Sequence, residues 1–220
     1  VSGARDDILG AIRRARGNAP DGEAVDRHLS EHRRNLVPAR AASLDHAGQV
    51  TLFIEMAEEV QTTVERVASL ADVPRAVADW LAAQNLPAEF VMSPDPLLDD
   101  VPWDERPLLR FRRGTPGPAD ATGVTACFAG IAETGTLMLL SGPASPATLN
   151  FLPDNHIAVV RASQVVATYE DGFDRLRAAG AVPRTVNFVT GPSRTGDIEQ
   201  KIQLGAHGPR RLHLVVVDGA

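Results

Sequence analysis

The feature that most constrains this chain is the texture of its second half, where short apolar runs alternate with turns rich in glycine and hydroxyl residues. Val124–Ile131, Thr136–Leu140, His156–Val160, Val186–Val189 and Leu212–Val217 each have the length and content of a buried strand. Between them, Thr168-Tyr169-Glu170-Asp171 opens a helix as a capping box does, Phe173 and Leu176 are expected to face inward, and Gly180 stops it. Strands separated by helices imply a mostly parallel sheet flanked by helices, an α/β fold, and the tight turn at Gly135 adds at least one antiparallel pair.

The first half fits the same architecture. Val50, Phe53, Ala57 and Val60 recur at helical spacing, Thr62–Ala68 alternates as a strand does, and Asp72 with Pro74 predicts a helix start. Short strands are predicted at Glu89–Met92 and Leu108–Arg112, and the four prolines of Ser93–Pro107 mark a surface loop. Residues 5–16 and 24–35 read as helices with thin apolar seams. We therefore divide the chain into an N-terminal helical arm, residues 1–44, expected to pack on the main domain or a partner, and an α/β domain, residues 45–220.

Charge and composition narrow the function. A formal charge of −6 over 220 residues, without a dense basic run, argues against nucleic acid and anionic membranes. No apolar run approaches the ~20 residues that span a bilayer, and Val1–Asp7 has no signal-peptide core, so a cytoplasmic protein is expected. With one cysteine, Cys127, this chain has no internal disulfide and no cysteine set for an iron–sulfur cluster, and no cofactor is expected. His28-Leu29-Ser30-Glu31-His32 matches a zinc-protease pattern, but on a charged helix face with no third ligand, so no metal is expected there.

Candidate site residues cluster in the turns. Gly191-Pro192-Ser193-Arg194-Thr195-Gly196 leads into Asp197–Leu204, which reads as helix. The two glycines stand at phosphate-loop spacing, but Asp197 and Ile198 occupy the places where that loop needs lysine and hydroxyl, so an anion would be held by free amides alone. Ser193 and Thr195 can equally cap that helix. Glu133-Thr134-Gly135-Thr136 puts a carboxylate between two apolar strands, where it acts as base or nucleophile, or else bonds to nearby backbone amides and threonine hydroxyls. His207, between Gly205 and Gly208-Pro209, is the best acid/base candidate, whereas His156 reads as a satisfied structural histidine and Cys127 as inert core. Glu133, Ser193, Asp197 and His207 are expected to converge on one cleft at the ends of the strands, with Arg194 as the positive group between the two carboxylates.

Glu133-Thr134-Gly135-Thr136-Leu137, Gly191–Glu199 and Gly205-Ala206-His207-Gly208-Pro209, in that order, resemble the lactate utilization protein C family, the LUD domain. Gly196 stands where that pattern usually has alanine and Ala206 where it has valine; neither change removes a functional group. The resemblance, over residues 50–217, implies a fold related to sugar-phosphate isomerases and CoA transferases. It also implies an accessory role in oxidising L-lactate to pyruvate beside two iron–sulfur partner proteins. A small carboxylate or phosphorylated ligand would meet Thr134, Gly135, Thr136, Gly191, Ser193, Arg194 and Thr195, with Glu133, Asp197 and His207 as the chemical groups. The alternative is a free-standing enzyme on a CoA-transferase-like fold that uses Glu133 and His207.

Overall fold

A computed structural model describes residues 2–16, 22–34, 37–180, 182–195, 203–205 and 207–219. The chain separates into two compact units, residues 1–36 and 37–220. In the first unit, α1 (Ser2–Arg16) and α2 (Gly22–Glu31) leave Ile8, Ile12 and Leu29 exposed. His32 lies just past the end of α2 with a left-handed φ of 43°, so it does not continue the helical face that carries His28.

The second unit begins with α3 (Ala39–Ala42) and α4 (His46–Glu59). Asp45 starts α4 by accepting the Gly48 amide at 2.8 Å, and Val50, Phe53 and Ala57 form its buried stripe. Then follow β1 (Thr63–Val67), α5 (Val73–Ala83), β2 (Glu89–Met92), α6 (Pro96–Asp99), β3 (Arg110–Arg113), β4 (Thr122–Ala126), β5 (Ala129–Ile131) and β6 (Thr136–Leu140). The chain ends with β7 (Asn155–Arg161), β8 (Val165–Val166), α7 (Tyr169–Ala178), β9 (Val186–Val189), β10 (Arg194–Thr195), β11 (Gln203–Leu204) and β12 (Arg211–Val217).

A six-stranded sheet in the order β1-β12-β7-β4-β2-β3 is parallel at every pairing. The last strand thus inserts between the first strand and the middle of the sheet. Alternation along β7 and β12 sends Ile157, Val159, Val215 and Val217 to one face, against Val73, Val77 and Trp80 of α5. Ala158, Val160, Leu214 and Val216 go to the other, against Phe53 of α4 and Leu137 and Leu139 of β6. Burial on both faces is why these strands read as continuous apolar runs rather than alternating ones. The second face is covered by a four-stranded sheet, β8-β5-β6-β9, in which β5–β6 and β6–β9 are antiparallel. Among the described residues no helix is long and apolar enough to cross a membrane.

Four local expectations change. Ser93–Pro107 is not a surface loop throughout: Asp95 caps α6 at the Leu97 amide, Pro96 occupies the first turn, and Leu97, Leu98, Val101 and Trp103 are buried. Asp72 turns its carboxylate back to the Ser69 amide and hydroxyl rather than capping α5. Phe173 is exposed while Leu176 is buried. The helix expected over 197–204 does not reach its end, because Gln203–Leu204 pairs as a strand with Arg194–Thr195; residues 196–202, with Asp197, lie outside the described residues.

Candidate functional site

Two loops build one wall of a cleft beside the end of β9. After β9 the chain turns at Gly191, whose φ is +74° and where a Cβ would sit 2.6 Å from the Val60 carbonyl oxygen, so no side chain fits. The Ser193 amide donates to the Pro209 carbonyl at 2.8 Å, and the Gly205 amide donates to the Ser193 carbonyl at 2.9 Å. The His207 amide reaches the Ser193 hydroxyl at 3.3 Å. The β10–β11 ladder continues this stitching, and it engages Thr195. Ser193 and Arg194 thereby come to one place with His207, 14 positions after Ser193.

The opposite wall comes from the turn before β7 and from β7 itself. Together they enclose a cleft of about 450 Å³, lined by Asn150 and His156 as well as Gly191, Ser193, Arg194 and His207. His156 and Leu212 are register partners at the second positions of β7 and β12. The cleft therefore opens at the amino ends of these parallel strands, not at the carboxyl ends where α/β ligand sites are usually found. Among the described lining residues none is acidic, and Arg194 is cationic.

The floor of the cleft holds unsatisfied polar groups. His156 is fully buried; its Nε2 lies 2.7 Å from the Thr125 hydroxyl, while its Nδ1 has no hydrogen-bond partner. Burial pushes its pKa down to about 4, which keeps the ring neutral at pH 7. The expected structural histidine is therefore only half satisfied. Asn150 is fully buried with neither amide atom paired. Leaving such a group unpaired costs about 1–3 kcal/mol, so these atoms mark a place that a partner would stabilise. Sequence reading passed over Asn150; its one sign is an amide placed between two large apolar residues, Leu149 and Phe151.

Glu133 is placed elsewhere. Its carboxylate accepts the Tyr169 amide at 3.1 Å at the start of α7, and its own amide donates to the Ala167 carbonyl at 3.1 Å. Gly135 has φ +63°, and a Cβ there would lie 2.2 Å from the Ala57 amide nitrogen, so this turn presses on α4. The Thr134 and Thr136 hydroxyls meet at 2.7 Å, and both contact the Tyr169 hydroxyl. Thr136 in turn meets Thr190 at 2.7 Å, and Thr190 lines the cleft. Arg194 donates to the Val60 carbonyl; among the described residues no hydrogen bond or ion pair joins it to Glu133. The Cys127 thiol donates to the Ala129 carbonyl at 2.9 Å, and burial pushes its pKa up to about 12, which leaves it unreactive. Among the described residues no group of three or more histidine, cysteine or carboxylate side chains could hold a metal.

Comparison with known proteins gives a consistent picture. The LUD domain family matches residues 119–217. Lactate utilization protein C of Deinococcus radiodurans is 36% identical over 153 residues, covering 68% of this chain and 70% of that one. A protein of the same name from Geobacillus sp. WCH70 is 33% identical over 99 residues, and this match spans only 41% of its length. A crystal structure of a DUF162 family protein from Deinococcus radiodurans superposes with a TM-score of 0.61 at 26% identity, covering 79% of this chain and 99% of that one.

Proposed function

The chain belongs to the LUD domain family of lactate utilization proteins, and on that premise we propose that it is an accessory subunit in the oxidation of L-lactate to pyruvate, holding a small carboxylate in the cleft at the amino ends of β7 and β12. The names of its relatives support a role in lactate utilization. The observation that carries the ligand is the cleft itself: a guanidinium, a hydroxyl and an imidazole on one wall, unpaired buried polar atoms in the floor, and no acidic group among the described lining residues. In this reading Arg194 pairs with the carboxylate, the Ser193 hydroxyl and nearby amides orient it, and His207 exchanges a proton with the bound acid. Oxidation of lactate releases electrons that this chain, with Cys127 as its one cysteine, has no cluster to carry. We assign that task to two iron–sulfur partner proteins in the cytoplasm.

The alternative, a free-standing CoA-transferase-like enzyme, needs Glu133 as nucleophile or base. Its carboxylate is engaged at the amino end of α7, which favours the first reading. The test is genetic. Deleting the gene in its host should abolish growth on L-lactate as sole carbon source, and the wild-type gene should restore it while Arg194→Gln should not. Normal growth of the deletion strain on L-lactate, or turnover of a thioester by the isolated chain, would overturn the proposal.

A further inference from the structure

A second cleft, of about 410 Å³, lies at the opposite end of the parallel sheet, where Cys127 follows β4 and Arg161 closes β7. This is the carboxyl end, the usual ligand position of open α/β sheets. Arg161 and Arg175, from β7 and α7, line it together with Asp95, and Leu97, Phe128 and Leu140 supply apolar wall. None of the site residues read from the sequence belongs to it.

Its cations are held in place but poorly neutralised. Gln164 fixes the end of β7: its Oε1 accepts the Arg161 amide at 2.8 Å and its amide donates to the Cys127 carbonyl at 2.5 Å. The Arg161 Nε is buried without a partner, and its Nη2 is 3.6 Å from Asp100, a largely exposed carboxylate that contributes little at that range. Arg175 donates to the Ser163 carbonyl at 3.3 Å, and its guanidinium stands 5.5 Å from the centre of the Phe128 ring. Among the described lining residues Asp95 is the one carboxylate; it accepts the Leu97 amide at 2.9 Å and attracts Arg161 through space, but it bridges to neither arginine. Two guanidinium groups thus face a cavity that holds one carboxylate, next to an apolar surface.

We propose that this second cleft binds a small organic oxyanion, a carboxylate or phosphoryl head on an apolar body, through Arg161 and Arg175. Guanidinium groups from two different elements suit an anion that accepts several hydrogen bonds at once. The apolar wall then shields the body of the ligand. The proposal does not rest on the lactate reading: Arg161 and His156 lie five residues apart on β7, roughly 17 Å at strand rise, so the two clefts accept ligands independently.

Isothermal titration of the full chain at low ionic strength, with phenyl phosphate and with benzoate as probes, tests this. At least one probe should bind saturably at one site, and the tighter of the two identifies the head group. Arg175→Gln and Arg161→Gln should each weaken binding about tenfold or more. Arg175→Lys should fall between, since it keeps the charge without the planar fork. Asp95→Asn should tighten binding, and His207→Ala, in the other cleft, should leave it unchanged. Arg175 is at the surface of a helix, so its variants carry the test even if Arg161→Gln fails to fold. No saturable binding of either probe, binding indifferent to Arg175→Gln, or binding lost on His207→Ala would overturn the proposal.

Discussion

Lowering the pH from 7.5 to 5 should remove about 4 kcal/mol of stability through two buried histidines. His156 and His213 lie on opposite faces of the large sheet, and burial lowers each pKa from 6.5 to about 4. His213 stacks on Trp80 with ring centres 4.9 Å apart, and its Nδ1 is 2.9 Å from the Thr63 hydroxyl. Both rings are neutral in the folded protein. Below pH 6.5 the unfolded chain takes up protons that the folded chain does not, so the stability present above 6.5 drains as pH falls toward 4. At pH 5 this linkage amounts to about 2 kcal/mol per ring, while ordinary carboxylates remain mostly ionised. Set against a typical stability of 5–15 kcal/mol, that loss is large. Urea titrations followed by the fluorescence of Trp80 and Trp103 at pH 7.5, 6 and 5 measure it. His156→Gln and His213→Gln should each remove about half of the pH dependence. A wild-type loss below about 1 kcal/mol across this window, or variants that leave the slope intact, would refute the reasoning.

Three further outcomes follow from the geometry. Asn150→Leu removes a buried amide with no partner, so thermal melts should show unchanged or higher stability, by up to about 3 kcal/mol; clear destabilisation would mean that the amide is paired in solution. Gly135→Ala and Gly191→Ala place a Cβ 2.2 Å from the Ala57 nitrogen and 2.6 Å from the Val60 oxygen, both at positive φ. Each should cost more than about 2 kcal/mol in urea unfolding, and near-native stability would contradict the described turns. Glu133→Gln keeps an acceptor for the Tyr169 amide and should leave folding and growth on L-lactate nearly intact, whereas Glu133→Ala should lose about 1 kcal/mol as a lost cap does. Loss of growth with a folded Glu133→Gln protein would restore a chemical role to the carboxylate.

The strands were legible because burial on both faces writes itself into the sequence as unbroken apolar runs, and α4 because its buried stripe has helical period. Strand order was not legible. Thr63 pairs with His213, 150 positions away, and nothing local to either residue specifies that register. Composition misled over Ser93–Pro107, where proline density reads as loop but Pro96 sits in a first helical turn and Trp103 donates its indole N–H to the Leu98 carbonyl. Within the candidate site, Gly191 and the His207 loop could be found because tight turns demand particular residues. Asn150 and the bare Nδ1 of His156 could not, because lacking a partner is a property of tertiary placement.

The Glu133 motif shows how residues suited to chemistry can shape a site at one remove. Gly135 lets the turn press on α4, Glu133 fixes the start of α7, and the two threonines and Tyr169 form one hydrogen-bonded cluster. That cluster ends on Thr190, the residue before Gly191, and Gly191 packs on the same Val60 carbonyl that receives Arg194. The motif is thus joined by a hydrogen bond to the exit of β9, directly before the Gly191 turn. Its carboxylate accepts the Tyr169 amide at the start of α7, and the threonine cluster beside it reaches the lining of the cleft through Thr190.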